Sequence, residues 1–215
     1  MILITGANRG VGAALLETYR AAGREALGTA REPAGDLLPL DVADAASVAA
    51  LGERLAGKKI ELLVCNAGIY PDRGMPLDTG FPAELWARVM ATNVTGVFLT
   101  VQALLPGLRA AAPSKIAIIS SGMGSDARAG GGSYAYRASK AASLNIGRNL
   151  SVDLKSDGIS VGIYHPGWVM TGMTRGTAAN IPPEDSAKGL IARFDALGPE
   201  TTGCFETYEG QALPF

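Results

Sequence analysis

The chain has 215 residues, 47% hydrophobic, 18% charged and 6% aromatic, with 28 glycines. That is enough apolar material for one packed domain, and too little length for two ordinary ones. Nineteen Lys and Arg against 20 Asp and Glu leave a net charge of -1 with no block of like charges. The balance points away from nucleic acid and anionic membranes and toward a small ligand.

Short apolar runs alternate with helical stretches, the pattern of repeated βα units feeding a parallel sheet. In chain order, strands are expected at Ile2 to Thr5, Glu25 to Thr29, Leu37 to Leu40, Glu61 to Cys65, Lys115 to Ser120, Ser160 to Tyr164 and Cys204 to Tyr208. Helices are expected at Gly10 to Ala22, Asp44 to Leu55, Ala83 to Ala110, Tyr136 to Ser156 and Glu184 to Ala196, the third bending or ending at Pro106. Two irregular stretches, Gly122 to Ser133 and Thr171 to Pro183, follow strands. In open α/β sheets that is the side on which ligands sit.

Cys65 and Cys204 are too few for a disulfide framework, and with the single His165 they make no metal cluster, so no metal site is expected. The first residues carry no basic leader and their apolar run breaks at Gly6, which predicts a reduced, cytoplasmic protein. Cys65 reads as a small buried thiol rather than a nucleophile.

The first strand runs into Thr5-Gly6-Ala7-Asn8-Arg9-Gly10-Val11-Gly12 and then a helix, the context of a dinucleotide-binding turn. Gly6 permits a tight exit from the strand, and Gly10 and Gly12 let backbone amides approach a pyrophosphate. Further on, Tyr136 and Lys140 stand four apart at a predicted helix start and share a face. An ammonium beside a phenol is expected to lower its pKa toward the working range and make it a usable acid or base.

The order Thr5-Gly6-x-x-x-Gly10-x-Gly12, Asp41-Val42, Asn66-Ala67-Gly68, Asn93, Ser120-Ser121, Tyr136-x-x-x-Lys140, then Pro166-Gly167 with Thr171 resembles the short-chain dehydrogenase/reductase family over nearly the whole chain. The resemblance implies a single-domain Rossmann fold, a doubly wound parallel seven-stranded sheet, and NAD(P) held by Gly6, Asn8, Arg9, Gly10, Val11 and Gly12. It implies that Asp41 and Val42 meet the adenine, although Asp41 alone reads equally as a turn former. Asn66, Ala67 and Gly68 would pass behind the cofactor, with Cys65 where the family often has a second Asn. Pro166, Gly167, Val169 and Thr171 would meet its nicotinamide or phosphate end.

The catalytic set implied by the resemblance is Asn93, Ser121, Tyr136 and Lys140. Tyr136 is the general acid, Ser121 orients the substrate oxygen, with Ser120 as the rival serine, and Lys140 also holds the ribose. Asn93 holds a relay water or else bridges backbone within its helix. Tyr70, Met123, Trp168 and Met173 are candidate substrate walls, Tyr134 lines the pocket, and His165 is a structural neighbour. Strand two ends Gly28-Thr29-Ala30-Arg31, with Ala30 where an NAD-type acid would stand. Arg31 and Arg9 are available for a 2′-phosphate, so NADP(H) is expected, with Glu32 the one competing carboxylate.

The function expected is a reversible NADPH-dependent reduction of an aldehyde or ketone. The alternative is an NADP-binding regulatory or signalling protein with little turnover. The resemblance further implies a homodimer or homotetramer packed through helices, for which the small residues Ala138, Ser139, Ala141, Ala142 and Ser143 give close approach.

Overall fold

The computed structural model describes residues 1–215. Seven parallel strands lie in the order β3-β2-β1-β4-β5-β6-β7: β1 Ile2–Ile4, β2 Ala26–Ala30, β3 Leu38–Pro39, β4 Leu62–Cys65, β5 Ser114–Ile119, β6 Ile159–His165 and β7 Phe205–Thr207. Every predicted strand is present, within two residues of its expected ends. The central strands are buried on both faces, which is why they read as unbroken apolar runs and not as an alternation.

The helices are α1 Gly10–Ala21, α2 Ala45–Arg54, α3 Ala83–Met90, α4 Gly96–Ala110, α5 Tyr134–Asp153 and α6 Pro183–Ala196. They clothe both faces of the sheet. Leu3, Leu63, Cys65, Ile116, Ile118 and Val161 face the layer of α2 and α4. Ile2, Ile4, Leu62, Val64, Ala117 and Ile119 face α1 and α6. Caps mark some ends: the Asp44 carboxylate accepts from Ala46 N at 3.0 Å to start α2, and Pro183 opens α6 with Glu184 and Asp185 in its first turn.

Pro106 does not end α4, which runs through it to Ala110. Pro106 and Gln102, whose carbonyl loses its intrahelical donor, both lie on the exposed side, so water can take up the orphaned acceptor. The irregularity falls earlier, at a π-helical turn over Ala91–Thr95 that joins α3 to α4 and carries Asn93. α5 also begins two residues sooner than expected, at Tyr134, after Ser133 in the left-handed region (φ 49°).

Strand addition reverses direction between β1 and β4. The segments leaving these strands therefore diverge and open a crevice at the carboxyl edge of the sheet.

Candidate active site

The glycine turn is built as a close approach. Gly6 and Gly10 have positive φ, 65° and 57°. A Cβ on Gly6 would stand 2.9 Å from Ala67 Cα, and one on Gly12 would stand 2.5 Å from Asn66 Nδ2 and collide with the Gly6 carbonyl. Asn66 explains the shape: its amide donates to Thr5 O at 2.9 Å and Gly6 O at 3.0 Å. Thr5 Oγ1 in turn accepts from the amides of Asn66 and Ala67, each at 3.0 Å. Sequence reasoning gave Thr5 no role beyond the motif, yet its hydroxyl ties the two crevice-forming segments together.

Arg9 and Arg31 are both exposed beside this turn and β2, and Ala30 is buried at the end of β2. Asp41 behaves in part as a turn former, since its Oδ1 accepts from Ala43 N at 2.9 Å. Its Oδ2 has no protein partner. Val42 is buried against Gly96 of α4, where a Cβ would stand 2.6 Å from the Val42 carbonyl. Asn8 is exposed and Val11 half-buried at the start of α1. The cradle that added Cβ atoms would fill, with bare amides at the start of α1, fits a dinucleotide pyrophosphate.

Beyond β6, Gly167 turns the chain at φ 87° and the Pro166 carbonyl accepts from Ser186 Oγ at 2.7 Å. Val169 is buried and bridges to Ile181. Thr171 forms a reciprocal cap with Thr174 and packs on the glycine turn, its methyl 3.1 Å from where a Gly10 Cβ would stand.

At the other end of the crevice, Tyr136 and Lys140 are both buried on α5. The Lys140 ammonium donates to Ile119 O at 2.9 Å and lies 5.7 Å from the Tyr136 ring centroid. The expected lowering of the phenol pKa is not what this arrangement produces. Burial raises the pKa of Tyr136, and the nearby Ser121 hydroxyl only partly offsets it. Burial also lowers Lys140 to about 8. The ammonium is turned to the Ile119 carbonyl, and burial is the largest cause acting on the phenol.

Of the two serines, Ser121 faces the phenol. Ser120 Oγ is spent on the Lys140 carbonyl at 3.1 Å, whereas Ser121 Oγ accepts only from Met123 N at 3.1 Å among backbone groups. Asn93 is fully engaged through its side chain: Oδ1 accepts from Ile69 N, and Nδ2 donates to Ile69 O and to Ser139 Oγ, all at 2.9 Å. Gly68 makes room for it, since a Cβ there would lie 3.3 Å from Asn93 Oδ1 and 3.6 Å from Lys140 Nζ. Ser139, read in sequence only as small, donates to the Tyr136 carbonyl at 2.7 Å.

The candidate walls divide. Tyr70 stacks on Tyr136 with centroids 4.0 Å apart, and its hydroxyl shares a 2.6 Å hydrogen bond with Ser133. Trp168 and Met173 are exposed after β6, Met123 is half-buried after β5, and Tyr134 meets Phe81 edge to face. His165 lies beside Gly122, and burial and the Arg128 cation lower its pKa to about 4, which leaves it neutral near pH 7. Cys65 is buried and its thiol is pushed up to about 12 by desolvation, as suits an inert packing residue. Asp72 is a site residue that sequence reasoning missed, hidden in a Pro71-Asp72-Arg73-Gly74 run that reads as a surface turn.

A dinucleotide cradle at one end of the crevice and a buried Ser, Tyr and Lys at the other define a nicotinamide-type oxidoreductase architecture. The family model described as short chain dehydrogenase matches residues 1–182, and the chain belongs to this family.

Among its relatives, C-signal of Myxococcus xanthus is 42% identical over 157 residues, covering 73% of this chain and 93% of that protein. The 1-hydroxy-2-glutathionyl-2-methyl-3-butene dehydrogenase of Rhodococcus sp. (strain AD45) is 34% identical over 227 residues, covering 99% and 98%. The NADPH-bound carbonyl reductase from chicken fatty liver superposes with a TM-score of 0.88 at 31% identity, over 100% of this chain and 98% of that one.

Proposed function

We propose that the protein is an NADPH-dependent reductase of aldehydes or ketones, reversible as an alcohol dehydrogenase. The observation that carries this reading is the convergence of Ser121, Tyr136 and Lys140 on one buried phenol, at the same sheet edge as the glycine cradle. The NADPH-bound structural neighbour supports the choice of cofactor, as do Arg9, Arg31 and the absence of an acid at Ala30.

NADP(H), when bound, supplies or accepts the hydride. Gly6, Gly10, Val11 and Gly12 would hold its pyrophosphate with Thr171 across from them, Arg9 and Arg31 its 2′-phosphate, and Asp41 and Val42 its adenine. Lys140 would hold the nicotinamide ribose. Ser121 donates a hydrogen bond to the substrate oxygen and orients it. Tyr136 delivers the proton to that oxygen as the alcohol forms. Because burial keeps the phenol protonated, Tyr136 is prepared to act as an acid, the form that carbonyl reduction requires.

The Asn93 side chain is spent on Ile69 and Ser139, so a relay water held by this residue would be held through its main chain. A helix-mediated assembly of two or four copies belongs to the same reading. Ser139, Ser143 and Gly147 face inward, and a Cβ on Gly147 would stand 2.6 Å from Ile163 Cγ1. Partner contacts would therefore fall on the outer side of α4 and α5, where Phe98 and Val152 are exposed; light scattering reads the state directly.

The test is NADPH oxidation across a panel of aldehydes, ketones and diketones. Turnover abolished by Tyr136→Phe supports the reading. Tight NADPH binding without turnover on the panel replaces it with a second one, a cofactor-binding signalling protein, which the 42% identity to C-signal favours.

A further inference from the structure

Asp72 is the one carboxylate the fold buries completely, at 0% exposure. It leaves the segment after β4 and meets the first turn of α5, where its Oδ2 accepts from Tyr136 N at 3.1 Å. Its Oδ1 is also buried and has no partner. A half-satisfied buried carboxylate weakens a fold, even with the positive end of α5 beside it. Stability alone therefore gives no reason for an acid at this position, since a neutral acceptor would hold the same amide.

The surroundings concentrate on one residue. Asp72 holds the Tyr136 amide, Ser139 holds the Tyr136 carbonyl at 2.7 Å, and Asn93 grips both Ser139 and Ile69, three positions before Asp72. Tyr70, between them, covers the Tyr136 ring. The groups that face the phenol are Lys140 from α5, Ser121 from the segment after β5, and Tyr70 and Asp72 from the segment after β4. Asp72 supplies the one carboxylate among them.

We propose, resting on the reductase reading above, that Asp72 is a positioning residue whose buried carboxylate pins the amide of Tyr136 and sets an acidic group beside the turn that carries the phenol. Two effects follow. The hydroxyl is presented at a fixed place, because the turn that carries it is pinned at both its amide and its carbonyl. The phenol is also biased toward donation, so Asp72 helps set the pH at which the site changes from proton donor to proton acceptor. Coulomb repulsion from Asp72 is the smallest of the causes that raise the Tyr136 pKa, after burial and Tyr70, with the Ser121 hydroxyl acting the other way.

The deciding experiment compares the wild type with Asp72→Asn, which keeps the shape and an acceptor for Tyr136 N but removes the acidic group. Tyr136 is titrated in the NADPH complex by phenolate absorbance, with Tyr136→Phe as the subtraction blank, so no turnover is needed. Loss of the acidic group is expected to move the phenol midpoint down, and the high-pH limb of carbonyl reduction moves down with it. An unchanged midpoint overturns the proposal, even if kcat falls, because a purely structural role lowers kcat without moving the titration. Asp72→Ser, which also keeps an acceptor, is the second variant should Asp72→Asn not fold, and the same downward shift is expected. If the wild type reduces nothing on the panel, the reductase reading fails while the spectroscopic shift still decides the role of Asp72.

Discussion

The ring of Tyr70 lies nearly parallel to that of Tyr136, 23° apart with centroids separated by 4.0 Å, and the Tyr70 hydroxyl is anchored to Ser133. The catalytic candidate is thus clasped from the segment after β4 while its own helix supports it from below. This stack uses the Tyr136 ring and not its hydroxyl, which makes the phenol oxygen separable from the fold.

Tyr136→Phe is therefore expected to fold and to bind NADPH as the wild type does. It should lose about 100-fold to 10,000-fold in kcat, the range supplied by a positioned general acid. Stopped-assay NADPH oxidation and a fluorescence binding titration, run side by side, check both halves.

Cofactor choice rests on exposed cations. Arg31→Ala removes one charge-assisted partner of the 2′-phosphate and is expected to weaken NADPH binding by about 10-fold to 100-fold while changing NADH little. The ratio of kcat/KM for the two cofactors is the measurement. Equal losses for both would place Arg31 away from the phosphate.

Gly12→Ala tests the cradle. The new methyl would be driven into Asn66 Nδ2 and the Gly6 carbonyl, two groups locked together by hydrogen bonds. A loss of at least about 2 kcal/mol is expected from such overpacking, read as a lowered Tm, together with loss of cofactor binding.

Buried Lys140 gives stability a pH signature in the cofactor-free protein. Its folded pKa, about 8, lies below its ordinary value of 10.5, so between these values the unfolded chain binds more protons. Stability therefore rises with pH across about 8 to 10.5, and below pH 8 the folded state bears the full penalty of a buried ammonium. Lys140→Met should remove this rise and stabilise the protein near pH 7 by a few kcal/mol, on the order of the shift itself. Urea melts at pH 7 and pH 10 provide the comparison.

His165 gives the corresponding signature on the acid side. Its folded pKa, about 4, lies below its ordinary 6.5. The neutral ring contributes stability that is present above about pH 6.5 and lost as pH falls through about 4. His165→Gln should flatten acid unfolding across that window and leave turnover near pH 7 close to wild type.

Much of this was legible in the sequence, for reasons that differ by residue. Strands buried on both faces advertise themselves as apolar runs, so β1, β4 and β5 could be read directly. The glycine turn and the Tyr136 to Lys140 spacing are local patterns, and local patterns survive without coordinates. Asp72 and Ser139 were not legible, since each acts through a main-chain group of Tyr136 that only folding brings near. Pro106 does not stop its helix, since its effect there depends on which side faces water. The pKa of Tyr136 was read the wrong way for a similar reason: charge is visible in sequence, and burial is not.

The packing of Thr171 against Gly10 bears on how the two reactants would affect one another. The loop that begins at Thr171 carries Met173, one of the exposed apolar side chains beyond β6. A pyrophosphate seated on the turn would lean on the same loop that borders the substrate space. Cofactor and substrate would then share a wall, and whatever one gains by settling that wall the other gains equally. Such a crevice would make the two bind as mutual enhancers, each lowering the Kd of the other by the same factor.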